Sequence, residues 1–476
     1  MTQLVFGTDG WRARRGTDFT SESLARVTEG VVAAWREEDP TDERPVLVGG
    51  DTREGSAEGV GLVAGILCAA GFKVQRVEGP VTTPNMSHAV VRRGARGALV
   101  LTASHNPSSW NGLKIKRDFG GSAEPEFTRR VEACIPDRPR ISPVAALEVP
   151  VIDPRPDYLE ALGHLVDLQA IRAAMVRPER PLRVVFDAMH GASAGYLPRL
   201  LAGPGFSEIR SSADPAFGGV HPEPIPPHLL PLQQVLAAGL EPAVGLACDG
   251  DGDRIGAVAE GGRFVNPHVI LALLARHLAE VRKWPGAIVK TLSTSTMIDR
   301  LAGRHGRDLS VVPIGFKYVA AEMRAREVLI GGEESGGIGF PRHLPERDGL
   351  LSALLLLEAC VHHGSGLGSL VDDLMDEFGP HAYDRRDVSL EAPGQVLGAL
   401  AALGASPPGA VAGLEVVAVT QVDGLKFDLE GGAWLLLRPS GTEPLLRLYA
   451  EARDPSAVVD LLAEGARLAG LGGRGA

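Results

Sequence analysis

The chain has 476 residues, 44% hydrophobic and 22% charged, which is enough for three or four domains and typical of a globular protein rather than a disordered one. It carries 48 basic and 59 acidic residues, so its formal net charge is −11. This balance argues against nucleic acids and membranes as partners, since binding either requires an excess of positive charge. For an anionic ligand, the positive charges must therefore be gathered locally.

The lysines, cysteines and first residues narrow the class of protein further. A site that needs a compact, titratable ammonium group cannot use arginine, so each of the few lysines is informative. The four cysteines form no CxxC pair, which predicts free, buried thiols rather than a disulfide framework or a zinc ribbon. The first residues lack the basic and apolar regions of a secretory signal, so we expect a cytoplasmic protein. The lysines are Lys73, Lys114, Lys116, Lys283, Lys290, Lys317 and Lys426.

Short apolar runs alternate with helix-like stretches along most of the chain. Helical spacing of apolar residues predicts helices over 56–70 and 268–282. This alternation is typical of α/β domains with parallel sheets, which bind ligands where strands end in polar or glycine-rich loops. The last hundred residues instead alternate as strands do, with DG and GG turns, and predict an α+β domain. The predicted strands are 45–49, 97–102, 183–187, 243–248, 286–290 and 327–331.

An acidic loop, DGDGDR at 249–254, follows one of these strands. Three carboxylates at alternate positions, separated by glycines, can converge on one hard divalent cation. An EF-hand calcium loop is disfavoured, because its sixth position requires glycine and is Arg254 here, although Glu260 fits the twelfth. An acidic turn without a cation is disfavoured too, since clustered carboxylates repel one another. We therefore predict that Asp249, Asp251 and Asp253 form a catalytic Mg²⁺ site.

A second polar loop, TASHNP at 102–107, follows the strand 97–101. Ser104 on such a turn is well placed as an exposed nucleophile, although most serines at turns only bond locally. His105 is a candidate base for Ser104, but adjacent side chains usually point apart, which favours an indirect role. Lys114 and Lys116 share one face of an extended segment, and their scarcity favours a function for at least one of them.

Two later glycine-rich turns also carry polar side chains. Glu333, Glu334 and Ser335 combine paired acids with a hydroxyl, which suits sugar hydroxyls better than a metal; an ordinary exposed turn is the equal alternative. The second turn combines guanidinium groups, hydroxyls and a glycine, which is the composition of a phosphate cradle. Its residues are Arg438, Ser440, Gly441, Thr442 and Arg447.

Taken in order, these motifs resemble the α-D-phosphohexomutase family, which includes phosphoglucomutases and phosphomannomutases. The resemblance spans residues 6–444 and implies four domains around a central cleft, three α/β domains followed by an α+β domain. The matching segments are FGTDGWR (6–12), TASHNP (102–107), GLKIK (112–116), DGDGDR (249–254), GGEESGG (331–337) and RPSGTEP (438–444). The predicted domains are 1–150, 151–260, 261–376 and 377–476.

The resemblance implies roles for individual residues. Ser104 is the expected phosphoserine and completes the Mg²⁺ site of the three aspartates. Arg12 and Arg254 are expected to steady the transferring phosphoryl group, with Lys114 assisting proton transfer. Glu333 and Ser335 are expected to contact sugar hydroxyls. The other expected substrate-binding residues are Lys290, Lys317, Arg438, Ser440, Gly441, Thr442 and Arg447.

The implied reaction interconverts glucose 1-phosphate and glucose 6-phosphate through phosphoserine, with a hexose 1,6-bisphosphate as intermediate and activator. The DGDGDR loop, with Gly252, resembles the corresponding loop in the glucose and mannose branches of the family. GFK at 315–317 resembles the pattern of phosphoglucomutases. Gly337 stands where many dual-specificity phosphomannomutases have histidine. Phosphoglucomutase is therefore favoured. The alternatives are a phosphomannomutase or dual-specificity enzyme, a sugar-phosphate-binding protein without turnover, and a phosphatase that uses the same phosphoserine.

Overall fold

The computed structural model describes residues 4–7, 9–145, 149–239, 242–392, 394–440 and 444–471. The chain divides into two compact units. The first consists of Met1–Val289 and Gly315–Val371, and the second of Lys290–Ile314 and Asp372–Ala476.

The first sheet is mixed and has helices on both faces. Its strands are β1 (Trp11–Arg14), β2 (Val46–Gly50), β3 (Val74–Pro80), β4 (Gly97–Leu101), β5 (Trp110–Arg117) and β6 (Val151–Ile152), in the order β1-β5-β4-β2-β3-β6. Strands β2, β3, β4 and β6 are parallel, and β1 and β5 run antiparallel to their neighbours. The helices around it are α1 (Ser21–Glu38), α2 (Ser56–Ala69), α3 (Thr83–Arg92) and α4 (Pro125–Cys134).

Residue alternation along this sheet explains its two cores. Val46 and Val48 belong to the core that includes residues of α1, α2 and α4, whereas Leu47 belongs to the core that includes residues of α3. Because successive side chains of a strand point to opposite faces, an uninterrupted apolar run is buried on both sides. In the register of β2 and β4, Gly50 pairs with Leu101, so the loops after these two strands begin side by side.

The second sheet carries the acidic loop. Its strands are β7 (Arg183–Asp187), β8 (Phe206–Ile209), β9 (Ala243–Cys248), β10 (Ile255–Ala259) and β11 (Arg263–Val265), in the order β11-β10-β9-β7-β8. Strand β7 is parallel to β8 and β9, while β9 and β10 form an antiparallel hairpin in which Cys248 pairs with Ile255. The DGDGDR segment is therefore the loop of this hairpin. The neighbouring helices in the chain are α5 (Arg155–Leu165), α6 (Leu168–Met175), α7 (Leu197–Leu201) and α8 (Leu230–Ala237).

The third sheet has the order β13-β12-β14-β15-β16. Its strands are β12 (Ala287–Thr291), β13 (Leu309–Val312), β14 (Val328–Gly332), β15 (Ile338–Phe340) and β16 (Leu344–Arg347). The segments β14, β15 and β16 form an antiparallel meander, and the GGEESGG motif is the turn between β14 and β15. The helices of this part of the chain are α9 (Pro267–Glu280), α10 (Met297–Arg304), α11 (Phe316–Ala325), α12 (Gly349–His363) and α13 (Leu367–Phe378).

The fourth sheet is antiparallel and belongs to the second unit. Its strands are β17 (Ala382–Ser389), β18 (Ala410–Val411), β19 (Leu414–Thr420), β20 (Leu425–Leu429), β21 (Trp434–Pro439) and β22 (Leu445–Ala452), in the order β17-β22-β21-β20-β19-β18. Leu435 and Leu437 share a core with residues of helix α15 (Pro455–Leu468), while Trp434 and Leu436 pack with Leu292 on the other face. Helix α14 (Leu397–Ala405) precedes β18.

The predicted fold class is confirmed: three α/β parts are followed by a C-terminal α+β part. Each predicted strand lies within about one residue of an observed one. None of the four cysteines forms a disulfide, and only Cys248 and Cys360 are buried, so the predicted burial holds for two of them. Among the described residues, no single helix is long and apolar enough to cross a membrane; α12 and α13 meet that test only together, as a bent pair.

Candidate active site

Ser104 lies in the loop after β4 and is almost completely buried, with 1% of its surface exposed. Its φ of 53° is in the left-handed region, which is strained for a residue with a side chain. Its Oγ donates a hydrogen bond of 2.7 Å to Asp249 Oδ2 in the acidic loop. The serine proton is thus directed at a carboxylate of the predicted metal site and not at His105, which is half-buried beside it.

Arg53 holds this strained loop in place through hydrogen bonds to its backbone. Its guanidinium group donates to the backbone carbonyl of Ser104 at 2.5 Å, and its side chain is fully buried against Asp51, with Nε 3.0 Å from Oδ2. The same guanidinium group donates to the carbonyls of Asn106 and Pro107 in this loop and of Trp110 at the start of β5. One buried cation therefore satisfies four carbonyls that the turn would otherwise leave without donors.

The three aspartates of the acidic loop converge as predicted. They are fully buried, and one carboxylate oxygen of each lies within 4.8 Å of the others. Among the described residues, Oδ1 of Asp251 and Oδ1 of Asp253 have no hydrogen-bond partner. Burial raises the pKa of Asp249 well above its ordinary value, and the charges of Asp253 and Asp251 raise it further. Hard oxygen donors with unpartnered, mutually repelling lone pairs fit a divalent cation such as Mg²⁺.

Neighbouring segments of the first unit fix the shape of the acidic loop. Thr83, at the start of α3, donates from its backbone N–H to the Asp251 carbonyl at 2.8 Å and from Oγ1 to Asp251 Oδ2 at 2.5 Å. The N–H of Gly349, at the start of α12, donates to the Gly252 carbonyl at 3.1 Å. Gly252 has a φ of 75°, and a Cβ there would lie 2.8 Å from Thr82 Cγ2, so glycine is required by this backbone.

Lys114 lies on β5 and pairs with the acidic loop. Its ammonium group is 2.7 Å from Asp253 Oδ2, 2.8 Å from Asp251 Oδ2 and 2.8 Å from Asp9 Oδ2, with 1% of the side chain exposed. Burial opposes the charge, but the three carboxylates raise the pKa of Lys114 above its ordinary value. Lys116, on the same face, instead pairs with Glu346 at 2.6 Å. Both lysines are thus buried ion-pair partners.

Arg347 is a second buried cation of the site, which the sequence did not suggest. Its guanidinium group lies 2.9 Å from Asp253 Oδ2 and 3.6 Å from Glu333 Oε2, and it also pairs with Asp9. Although burial acts in the other direction, the charges of Arg347, Lys114 and Lys116 hold the pKa of Asp9 well below its ordinary value.

Glu333 and Ser335 lie on the turn between β14 and β15. Glu333 is buried, and burial raises its pKa to about 7 against the lowering effect of Arg347. Ser335 is half-buried. The turn is attached to the acidic loop, because the N–H of Ile255 donates to the Gly336 carbonyl at 3.0 Å and Arg254 forms a β-bridge with Gly337. The structure therefore brings these two predicted residues next to the acidic loop.

Of the two arginines predicted to steady the phosphoryl group, Arg254 is buried and Arg12 is half-buried. Arg254 closes the acidic loop, with its backbone N–H 3.1 Å from Asp249 Oδ1 and NH1 3.7 Å from Glu223 Oε1. Arg12 lies on β1 and donates at 2.5 Å to Oδ1 of Asn106 in the serine loop. Burial lowers the pKa of Arg12 from its ordinary value.

Two lysines predicted to bind substrate have different surroundings. Lys290 belongs to the second unit and is buried there, with Nζ donating to the Thr294 and Ser295 carbonyls at 3.2 and 3.0 Å and pairing with Asp299. The Asp299 carboxylate and these two carbonyls therefore compensate the positive charge of Lys290 within the protein. Lys317 is half-buried at the start of α11 and lines a small cavity with Asp9.

The predicted phosphate cradle lies in the second unit. Arg438 and Arg447 face each other across β21 and β22, and each has an aspartate partner: Arg438 Nε lies 3.0 Å from Asp423 Oδ1, and Arg447 Nε 3.7 Å from Asp387 Oδ2. Each of the two opposed guanidinium groups is thus next to a carboxylate, which offsets the repulsion between like charges that face each other in a sheet. Ser440 donates its N–H to the Leu445 carbonyl. Gly441 and Thr442 lie outside the described residues.

Sequence reasoning missed Asp9, Asp51, Arg53, Thr83, Glu346 and Arg347. For Arg53 a signal existed, because Asp51-Thr52-Arg53 follows the strand next to β4, where the rule that found Ser104 also applies. Asp9 stood inside the FGTDGWR motif. For Arg347 no such signal existed, since its position depends on the register of the β15–β16 hairpin.

Comparison with known proteins identifies relatives that cover nearly the whole chain. Models of the phosphoglucomutase/phosphomannomutase family match along the chain, with alpha/beta/alpha domain I at 3–140, domain II at 156–262, domain III at 266–378 and the C-terminal domain at 400–468. A phosphoglucosamine mutase of Frankia alni is 33% identical over 97% of this chain and 96% of its own. A phosphoglucomutase of Rhizobium radiobacter is 31% identical over 90% of this chain and 88% of its own.

A solved structure is also similar along its whole length. The crystal structure of a protein from Thermus thermophilus, assigned as a phosphomannomutase, is 36% identical, covers 98% of this chain and 99% of its own, and has a TM-score of 0.86. Fold, site and relatives define a mutase, an isomerase that moves a phosphoryl group. The chain belongs to the phosphoglucomutase/phosphomannomutase family.

Proposed function

We propose that this mutase is a phosphoglucomutase that works through a phosphoserine at Ser104. The P–O bond to Ser104 Oγ breaks while a new P–O bond forms to a hydroxyl of glucose monophosphate. The proton of that hydroxyl passes to the released Ser104 Oγ, and the sugar becomes the 1,6-bisphosphate. The bisphosphate turns over and returns its other phosphoryl group to Ser104. Phosphoryl transfer of this kind depends on positioning and on neutralising oxygen charge.

One observation carries this proposal: Ser104 Oγ donates a 2.7 Å hydrogen bond into the buried aspartate cluster. A serine held at a positive φ in a buried acidic site has no evident structural task there, because a glycine would adopt that backbone with less strain. The same contact disfavours a sugar-phosphate-binding protein without turnover, which has no use for a nucleophile.

The residues present fit a Mg²⁺ cofactor. Asp249, Asp251 and Asp253 would hold it, with the phosphate of phosphorylated Ser104 as a further ligand. When bound, the cation neutralises charge on the transferring phosphoryl oxygens. Arg12 and Arg254 hold the group from the protein side, and Lys114 keeps a positive charge beside the loop and assists proton transfer.

The remaining predicted residues orient the sugar phosphate. Glu333 and Ser335 accept and donate hydrogen bonds with sugar hydroxyls. Lys317 and the cradle of Arg438, Ser440 and Arg447 bind the phosphate that is not reacting, together with Gly441 and Thr442. A substrate role for Lys290 has less support, since its described partners already neutralise it.

Which hexose is preferred is the finer part of the proposal. Glucose and mannose phosphates differ only in the orientation of the 2-hydroxyl, and such a difference in a tolerant pocket is worth about 1–3 kcal/mol, or roughly 5- to 150-fold in rate. We therefore expect preference for glucose with detectable mannose activity. Glucosamine phosphate is a second candidate, because the Frankia alni relative is a phosphoglucosamine mutase. Gly252 does not exclude it, since the local backbone alone requires glycine there.

The test is a coupled mutase assay on the 1-phosphates of glucose, mannose and glucosamine, with Mg²⁺ and a trace of glucose 1,6-bisphosphate. Highest kcat/KM for glucose 1-phosphate supports the proposal. A higher value for mannose or glucosamine reassigns the substrate, and release of inorganic phosphate without isomerised sugar indicates a phosphatase.

Ser104→Ala tests the phosphoserine itself. We expect the variant to fold and to lose nearly all turnover, because no other group in the site takes the phosphoryl group. Intact-mass measurement should find up to one phosphate on the wild type and none on the variant. Ser109→Ala, on the exposed part of the same loop, is the matched control and should keep both phosphate and activity. Substantial turnover by Ser104→Ala would remove the phosphoserine mechanism.

A further inference from the structure

Arg347 connects two parts of the site that are distant in sequence. Its guanidinium group is 2.9 Å from Asp253 Oδ2 on the acidic loop and 3.6 Å from Glu333 Oε2 on the turn between β14 and β15. Its Nε lies 3.5 Å from Glu346 Oε1, and its Cζ lies 5.4 Å from the centroid of the Phe316 ring. Only 4% of the side chain is exposed, so these contacts are made away from solvent.

The aliphatic part of Arg347 also fills the space over Gly337. A Cβ built on Gly337 would overlap Arg347 Cδ, and it would lie 3.2 Å from Arg347 Cγ and 3.2 Å from Glu333 Oε2. Gly337 has no positive φ, so its backbone would tolerate a side chain. What requires glycine at this position is therefore the arginine that lies over it.

The position of Arg347 also matters for the cation. Arg347 and Lys114 both bind Oδ2 of Asp253, whereas Oδ1 of Asp253 has no partner among the described residues. A divalent cation on Oδ1 would thus share the carboxylate with the guanidinium group. Like charges on one carboxylate repel, and the repulsion is strong at such distances in a buried site.

We propose that Arg347 is a positioning residue that sets the sugar-binding Glu333 against the metal-binding Asp253 and determines the room left over Gly337. The inference rests on the proposed function, since it takes Glu333 as a sugar contact and Asp253 as a metal ligand. Its consequence is specific. Removing the charge weakens sugar binding, because Glu333 loses the group that orients it, and strengthens cation binding, because a competing charge leaves Asp253.

Opposed signs distinguish this role from a merely structural one. In Arg347→Met, we expect KM for the sugar phosphate to rise about tenfold and the affinity for Mg²⁺, measured by calorimetric titration of the phosphate-free protein, to rise at least threefold. A structural defect would weaken both. Arg342→Met is the matched control, because Arg342 lies in the same hairpin over the Trp284 ring and should change neither quantity. Unchanged or weaker Mg²⁺ binding by Arg347→Met overturns the inference.

Arg347→Lys separates charge from geometry, because it keeps the positive charge and loses the planar fork that reaches two carboxylates. We expect Mg²⁺ affinity close to that of the wild type and KM still raised. If Arg347→Met does not fold, this variant carries the test, and a KM equal to that of the wild type counts against the inference.

A double-mutant cycle tests the space over Gly337. Gly337→Ala should lower kcat/KM about tenfold in the wild type, where the new methyl group displaces Arg347, and less than twofold in Arg347→Ala. Additive effects would refute the steric part. These outcomes differ from a failure of the proposed function, in which the wild type itself shows no mutase activity; the Mg²⁺ titration can be read in either case.

Discussion

Glu333 is a single residue on which burial and a neighbouring cation act in opposite directions. Burial raises its pKa from 4.5 to about 7, Arg347 lowers it, and Glu334 raises it, while Arg254 and Asp9 also face it. In the unfolded chain the same carboxyl group titrates near its ordinary value. Between pH 4.5 and 7 the folded state therefore holds more protons than the unfolded state, and this residue makes the free energy of unfolding fall as pH rises.

Glu333→Gln should accordingly stabilise the protein at high pH and not at low pH. A change of one in pKa is worth about 1.4 kcal/mol, so the expected gain is about 3 kcal/mol above pH 7 and close to zero near pH 4. Urea unfolding of both proteins at pH 4.5, 6 and 8 measures it. The same variant should raise KM for the sugar phosphate, since an amide is a weaker acceptor than a carboxylate.

Two outcomes would contradict this account of Glu333. One is a variant less stable than the wild type at pH 8, which would mean that the ion pair with Arg347 outweighs burial. The other is a stability difference that does not change with pH. Ser335→Ala, which changes a half-buried side chain without a titrating group on the same turn, is the control, and its effect on stability should not depend on pH.

At the scale of secondary structure elements, the serine loop depends on a residue from another strand end. Arg53 follows β2 and donates to four carbonyls of the loop after β4 and the start of β5, which the parallel register of β2 and β4 brings alongside. Arg53→Lys keeps the charge but cannot reach all four carbonyls, so the left-handed turn at Ser104 loses support. A misplacement of about 1 Å costs roughly 100-fold in rate.

We expect Arg53→Lys to lower kcat at least tenfold with little change in KM, because substrate contacts remain while the nucleophile moves. Coupled kinetics measures both constants, and intact mass reports whether Ser104 is still phosphorylated. Arg44→Lys is the matched control, since the Arg44 side chain is half exposed and its partners, Asp42 and Asp118, lie outside the serine loop. A raised KM with normal kcat would indicate that Arg53 acts on binding and not on the nucleophile.

The sequence predicts elements of this fold well where one pattern has one structural solution. Apolar runs bounded by polar loops identify β2, β4, β7, β9, β12 and β14, since only buried strands in α/β domains combine these features. The same rule predicts Ser104 and the acidic loop. It does not predict Arg347, which lies in a short antiparallel strand. The register of that strand decides whether Arg347 contacts Asp253, and local sequence does not determine this register.

At the scale of the whole molecule, the sequence predicts the order of domains but not which buried charges meet. Asp9, Lys114 and Asp253 are far apart in the chain, yet the carboxylates of Asp9 and Asp253 lie within 2.8 Å of the Lys114 ammonium group. Such clusters result from the packing of complete sheets within the first unit. The sequence therefore shows that these charged residues are present, but only the structure shows which of them form pairs.

Cation binding should stabilise the assembled first unit for the same reason. The three aspartates converge only when the hairpin β9–β10 is held by Thr83 of α3 and Gly349 of α12, so a divalent cation binds the folded chain and not the unfolded one. A ligand at about 100 times its dissociation constant adds about 2.7 kcal/mol to the free energy of unfolding. The wild type should thus melt several degrees higher in excess Mg²⁺ than in excess chelator.

Thermal unfolding followed by circular dichroism measures this shift, and activity in the same samples should stop with chelator and return with Mg²⁺. Asp251→Asn removes one ligand and should abolish most of the shift, because the neutral amide binds Mg²⁺ weakly. Asp214→Asn is the matched control: it makes the same change in a carboxylate that accepts from backbone N–H groups of a loop outside the cluster, and it should leave the shift unchanged. The wild type is first chelated for long enough to remove any slowly exchanging metal. Equal melting temperatures with and without Mg²⁺ would then reject the aspartate loop as the cation site. The reason is that a buried cluster of three carboxylates cannot bind a divalent cation without gaining stability from it.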